Sequence, residues 1–216
     1  MPTKQALTRM AVRRRDGPAG RPYDVATLPS GASMKAMEIE TARLRLRPWT
    51  AENVKDLHNL WTEPEVRKYL WDDVVITRER AASEVQRSLE CFESSGFGQW
   101  TVFCKAERPM IGFCGFRLFG EPREVELLYG IAPAYWGRGF ATEGARAMLR
   151  FGFEELGFDR VLAGADPPNI GSFRVMEKIG MTLAKRPSID GSEAVYYGIS
   201  RREFRPGDSF YRVRIE

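Results

Sequence analysis

The sequence predicts an α/β domain in which a mixed, mostly antiparallel sheet of about seven strands is flanked by about four helices. Three observations predict it. Residues 99–131 carry three apolar-rich runs joined by short turns, the pattern of an antiparallel meander. Residues 78–94 and 141–155 repeat apolar side chains at three- and four-residue spacing, as helices with one buried face do. Glu124–Glu154 runs from a strand through a glycine turn into a helix, and a strand, a helix and two strands follow. The resulting order, β-α-α-β-β-β-α-β-α-β-β, is that of a mixed sheet between helices.

Taken in order, Glu38–Arg47 alternates, with Leu44 and Leu46 facing one way and Arg43, Arg45 and Arg47 the other, and reads as one half-buried strand. Thr50 caps a helix to about Trp61, and Glu63–Leu70 forms a short helical turn. Thr77 caps a second helix, Arg78–Ser94, that turns Ala81, Val85, Leu89 and Phe92 inward and ends at Ser95-Gly96. The meander strands are Gln99–Lys105, Met110–Phe119 and Glu124–Ile131. In the helix Ala141–Glu155 the recurring residues are Ala145, Met148, Leu149, Gly152 and Phe153. A strand Arg160–Ala165, a helix Ile170–Ile179 and two strands, Met181–Pro187 and Ala194–Ser200 around Asp190-Gly191, complete the domain over residues 37–203.

Composition bounds the function. Of the 216 residues 43% are hydrophobic and 29% charged, values that support one packed core. No apolar run approaches membrane-spanning length. The formal charge of +4 is uneven: residues 1–35 hold seven basic side chains against Asp16 and Asp24, so the remainder carries about −1. The basic balance therefore belongs to the N-terminal extension and is not evidence of a nucleic-acid-binding surface on the domain, so no nucleic-acid partner is expected. Residues 1–36, rich in Arg, Gly and Pro and poor in aromatics, read as a disordered extension, and 204–216 as a tail that packs back or assists a homodimer. Cys91, Cys104 and Cys114 lack metal or redox spacing and read as reduced thiols of a cytoplasmic protein. With one histidine, a catalytic triad or a zinc site would have to rest on His58 alone; it sits in Ala51–Trp61, which reads better as an amphipathic surface helix, and no metal cluster can be assembled.

The chemistry concentrates in Tyr135–Thr142. Gly137 and Gly139 let the backbone approach a ligand closely, and the N–H groups opening the next helix have no intrahelical partner. The helix dipole and Arg138 both favour a phosphate there. A tight connection that binds nothing is the competing reading. No Gly-Lys-Ser/Thr follows, which removes a P-loop. Gly137-x-Gly139 with Asp166 downstream matches part of a dinucleotide fingerprint. Thr142 stands where its third glycine belongs, however, and the glycines begin five residues too late.

The stretch Tyr135-Trp136-Gly137-Arg138-Gly139-Phe140-Ala141-Thr142-Glu143 resembles the coenzyme A pyrophosphate loop of the GNAT superfamily of N-acetyltransferases, usually written Gln/Arg-x-x-Gly-x-Gly/Ala. Trp136 takes the Gln/Arg place, Gly139 the glycine and Ala141 the small residue. Asn169-Ile170-Gly171-Ser172 with Glu177-Lys178-Ile179-Gly180-Met181, and Thr41-Ala42-Arg43-Leu44-Arg45-Leu46-Arg47 upstream, resemble the branch that includes ribosomal-protein-alanine N-acetyltransferases. The resemblance spans about residues 39–203.

It implies splayed central strands with acetyl-CoA lying between Glu124–Ile131 and Arg160–Ala165. The pantetheine arm would pair near Tyr129, Gly130 and Ile131, the pyrophosphate would take Trp136, Gly137, Arg138, Gly139, Phe140, Ala141 and Thr142, and Asn169 would hold the pantetheine. Asn169 also suits a helix N-cap. The resemblance makes Glu126 the base, relaying the amine proton through water, with a solvated edge glutamate as the competing reading. The tyrosine that many members use as acid is replaced by Met176. Ser172 is then the candidate donor to the departing thiolate, unless solvent supplies the proton. Tyr69, Trp71 and Asp72, with Tyr197 on a final strand, suit an ammonium or a protein N-terminus. The implied activity is acetyl transfer to a primary amine, and the alternative is a non-catalytic acyl-CoA-binding module on the same fold.

Overall fold

The computed structural model describes residues 37–107, 109–120, 124–184 and 194–215. The expected disorder of 1–36 and the turn at Asp190-Gly191 lie outside them.

The opening run folds as two strands, β1 (Met37–Thr41) and β2 (Leu44–Pro48), where a single strand was expected. Alternation misses the break because a two-residue turn returns the chain with the same faces: Ile39 pairs with Leu46 and Glu40 with Arg45. The Thr41 hydroxyl closes the turn by accepting from Leu44 N at 2.9 Å. After a 3-10 turn at Ala51–Asn53 come α1 (Val54–Thr62) and α2 (Pro64–Leu70), a full short helix with proline in its first turn. Helix α3 (Arg78–Ser95) starts where Thr77 Oγ1 accepts from Arg80 N and stops at Gly96. The meander is β3 (Gln99–Cys104), β4 (Met110–Phe119) and β5 (Glu124–Ile131). Helix α4 (Phe140–Glu154), β6 (Arg160–Ala165) and α5 (Ile170–Lys178) follow. The last expected pair is β7, only Thr182–Leu183, and β8 (Val195–Ser200). The C-terminal segment packs back: Tyr211–Ile215 form β9, antiparallel to β1.

The strands form one sheet in the order β7-β8-β6-β5-β4-β3-β2-β1-β9, nine among the described residues where about seven were expected. Splitting the first strand and adding β9 account for the difference. Every neighbouring pair is antiparallel except β5 and β6, which share a single parallel register pair, Glu126 with Leu162. Past that pair the two strands part.

Two apolar clusters flank the sheet. Trp49, Leu57, Leu60, Trp61, Val66, Ile76, Ala81, Val85 and Phe113 pack under α1–α3, with the rings of Trp49, Trp61, Trp71 and Phe113 meeting edge to face at 5.4–6.0 Å. The larger cluster seats α4 and α5 through Ala145, Met148, Leu149, Phe151 and Met176. Burying a side chain of this size contributes roughly 1.5–3 kcal/mol. That rigid sandwich is what holds the parted ends of β5 and β6 in place.

Candidate functional site

The loop after β5 carries two left-handed residues, Gly137 (φ 74°) and Gly139 (φ 78°), and Gly139 is the N-cap of α4. Residues other than glycine pay for that backbone, so the chain turns into the helix where the two glycines allow it. Residues 136–139 are exposed, and the first N–H groups of α4 have no intrahelical acceptor. An anion placed there meets backbone donors, the helix dipole and the half-exposed Arg138 guanidinium. This chain's own residues therefore fit an extended, phosphate-bearing thioester carrier.

The expected loop residues do not all point outward. Phe140 is 2% exposed and sits in the core, so only its backbone can meet a ligand. Trp136 folds back and donates Nε1 to the Ile131 carbonyl at 2.6 Å, which occupies one acceptor on the strand expected to receive the pantetheine. Ile131 itself is buried, while Tyr129 and Gly130 are partly open. Ala141 and Thr142 lie half-buried in the first turn of α4.

Across the gap, Asn169 Oδ1 accepts from Ser172 N at 3.2 Å, the N-cap geometry, which leaves the amide nitrogen of Asn169 for another partner. Tyr129 reaches from β5 and donates its hydroxyl to the Ser172 carbonyl at 2.9 Å. Burial pushes the Tyr129 phenol up, so it stays protonated at neutral pH. Ser172, Asn169 and Tyr129 thus meet at one place. Met176 is buried in the core.

Glu126 lies on β5 at the last register pair before the strands part, and it is 3% exposed. Its Oε2 accepts from Arg117 Nε on β4 at 2.6 Å, so the carboxylate is fixed by an ion pair and is not a solvated edge residue. Arg117 stacks over Phe119, and Phe119 stacks on Tyr196 at 5.6 Å. Tyr196, rather than the expected Tyr197, therefore shares the sheet face of Glu126. Tyr197 faces α5, with its ring 5.6 Å from Phe173 and its hydroxyl 3.4 Å from Glu177.

The α2–α3 connection brings Trp71 and Asp72 near the same region. Trp71 packs edge-on against Trp61 at 5.7 Å, and its buried Nε1 has no hydrogen-bond partner among the described residues. Tyr69 is half-buried under Lys68. Asp72 is exposed and adopts φ 50°. It acts electrostatically on Asp166, at the end of β6, whose carboxyl is raised by burial first and by Asp72 second. Asp166 was weighed in the sequence only as a dinucleotide contact. A further residue missed there is Arg43, whose side chain reaches the glycine loop; the signal was present in Thr41-Ala42-Arg43.

Comparison with known proteins agrees with this geometry. Residues 43–182 match the acetyltransferase (GNAT) domain family. The chain is 32% identical over 146 residues to the uncharacterized N-acetyltransferase YnaD of Bacillus subtilis, covering 67% of this chain and 82% of that protein. It is 30% identical over 187 residues to the FsC-acetyl coenzyme A-N(2)-transacetylase of Aspergillus fumigatus, covering 77% of each. The crystal structure of a GNAT-family acetyltransferase from Bacillus anthracis superposes with a TM-score of 0.64 at 27% identity, over 77% of this chain and 99% of that one. These matches remove the dinucleotide reading, and the chain belongs to the GNAT family of acetyl-CoA-dependent N-acetyltransferases.

Proposed function

We propose that the protein transfers the acetyl group of acetyl-CoA to a primary amine by direct attack, with Glu126 as the water-relayed base and Ser172 as the proton donor to the thiolate. The coenzyme supplies an acyl carbon already activated as a thioester. A neutral amine attacks that carbon, the new C–N bond forms and the C–S bond breaks. Glu126 takes the amine proton through water, and Ser172 Oγ gives a proton to the sulfur and regains one from solvent. The backbone edge of Tyr129 and Gly130 supports the pantetheine, Gly137–Thr142 the pyrophosphate and Asn169 the arm between.

The observation that carries this reading is the position of Glu126, a buried carboxylate at the point where β5 and β6 separate. Arg117 keeps it there through Nε and Oε2, so Oε1 is not part of the ion pair. The acceptor side carries Trp71, Asp72 and Asp166. Burial first and Asp72 second raise the Asp166 carboxyl, and a cation between the two carboxylates would offset the smaller, repulsive part, which supports an acceptor that arrives as an ammonium. A peptide N-terminus and a small-molecule amine both qualify, and the name of the fungal relative places its own transfer on an N(2) atom. The buried thiols of Cys104 and Cys114 support a reducing, cytoplasmic setting.

Glu126→Gln tests the proposal. It is expected to lower kcat about 10²- to 10⁴-fold while the Kd for coenzyme A holds. Undiminished turnover with any acceptor that the wild type uses would remove Glu126 as the base.

A further inference from the structure

The pyrophosphate loop is not held by its own helix alone. Glu143 sits in the first turn of α4, where a carboxylate is ordinarily favourable for the helix but opposes a phosphate bound at the same end. Its side chain is 16% exposed, so solvent screens it poorly. Three donors from the turn between β1 and β2 occupy it. Thr41 Oγ1 and Arg43 N both donate to Oε1, at 2.6 and 2.8 Å, and Arg43 Nε donates to Oε2 at 2.7 Å. Arg43 then continues past the carboxylate: Nη1 donates to the Arg138 carbonyl at 2.9 Å, inside the glycine loop. Its guanidinium lies 4.7 Å from the centre of the Phe140 ring, and that of Arg138 lies 4.8 Å from the same ring.

We propose that Arg43 is a positioning residue for the coenzyme: by compensating Glu143 and bracing the Arg138 carbonyl, it keeps the start of α4 open and electropositive for the pyrophosphate. The inference rests on the reading that Gly137–Thr142 hold that group. It gives the opening-strand motif a task in coenzyme binding, because Thr41 and Arg43 reach a carboxylate about a hundred positions away in sequence. Two guanidinium groups gathered on one ring repel each other, and an anion between them and the helix offsets that repulsion.

The test compares donors that differ only in their phosphates. Arg43→Ala is expected to weaken binding of coenzyme A and of 3′-dephospho-coenzyme A equally, by about tenfold or more. It should leave kcat at saturating acetyl-CoA, and kcat/KM with acetyl-pantetheine, unchanged. Arg43→Lys keeps the charge but loses the fork and should fall between. Adding Glu143→Gln to Arg43→Ala removes the uncompensated carboxylate and should recover most of the affinity, which a simple loss of packing would not do. A loss seen with coenzyme A but not with its dephospho form would place Arg43 against the 3′-phosphate and overturn the inference. So would failure of the double variant to recover. Gly139→Ala separates this inference from the reading beneath it: if that variant loses coenzyme affinity and Arg43→Ala does not, the Arg43 role alone falls. If neither changes binding, the loop does not hold the pyrophosphate and both fall.

Discussion

Gly139 concentrates the residue-scale physics of the site. At φ 78° an added Cβ would meet nothing closer than Arg43 Nη2 at 3.6 Å, an ordinary contact, so the cost of a side chain there is conformational. Gly139→Ala should therefore cost about 1–2 kcal/mol, which for a domain of this size lowers Tm by roughly 2–8 °C. Relaxing φ rotates the N–H groups at the head of α4, so KM for acetyl-CoA should rise with it. Calorimetry and steady-state kinetics on the same preparation check both, and a variant that lost stability with no change in KM would separate the turn from the ligand. The glycines and their helix were legible in the sequence because both requirements are local. The orientation of Phe140, Trp136 and Tyr197 was not, since alternation and motif position say nothing about which face a neighbouring helix will cover. Nor was the partner of Glu126: Arg117 is nine positions away on another strand, and only the β4–β5 register puts it opposite.

At the scale of elements, α5 does two things with one residue. Asn169 caps the helix through Oδ1, which leaves its amide nitrogen as a donor for the coenzyme. Asn169→Asp keeps an oxygen for the Ser172 N–H and so should hold the helix, with an unfolding free energy within about 0.5 kcal/mol of wild type. The same change replaces a donor by a charge, so KM for acetyl-CoA should rise several-fold; loss of Tm equal to that of Asn169→Ala would show that the cap had not been preserved. The strands were read with mixed success for one reason. Those of the meander are joined by short turns and were placed to within a residue, because each pairs with its neighbour in sequence. Tyr211–Ile215 alternates as a strand should, yet nothing near it in the chain is its partner. Its pairing with Met37–Thr41 closes the sheet from the opposite end of the domain. Long-range pairing of this kind leaves no local trace in composition or periodicity.

For the whole molecule, burial of ionisable groups sets the limit of stability on the alkaline side. The Cys114 thiol and the phenols of Tyr129 and Tyr211 are all pushed up, in each case mainly by burial. Tyr129 and Cys114 are register partners on β5 and β4, and Tyr211 lies on β9 with its hydroxyl buried and without a hydrogen-bond partner among the described residues. In the unfolded chain a thiol releases its proton near pH 8.5 and a phenol near pH 10. The folded protein keeps these protons longer, so above those values the native state binds more protons than the unfolded one and stability falls as pH rises. The contribution is fully present at neutral pH and is lost progressively from about pH 8.5 upward, as pH climbs from the unfolded-chain values toward the raised native ones. Cys114 alone should add a slope of roughly 1.4 kcal/mol per pH unit over that window. Urea midpoints taken from pH 7 to 11, with tyrosinate absorbance followed in parallel, measure the effect. Cys114→Ala should flatten the first part of the curve, since the group with the lowest unfolded pKa is then gone. Tyrosinate signal from Tyr129 or Tyr211 rising at pH 10 while the fold stays intact would show that water reaches these hydroxyls, and the alkaline limb would then need another origin.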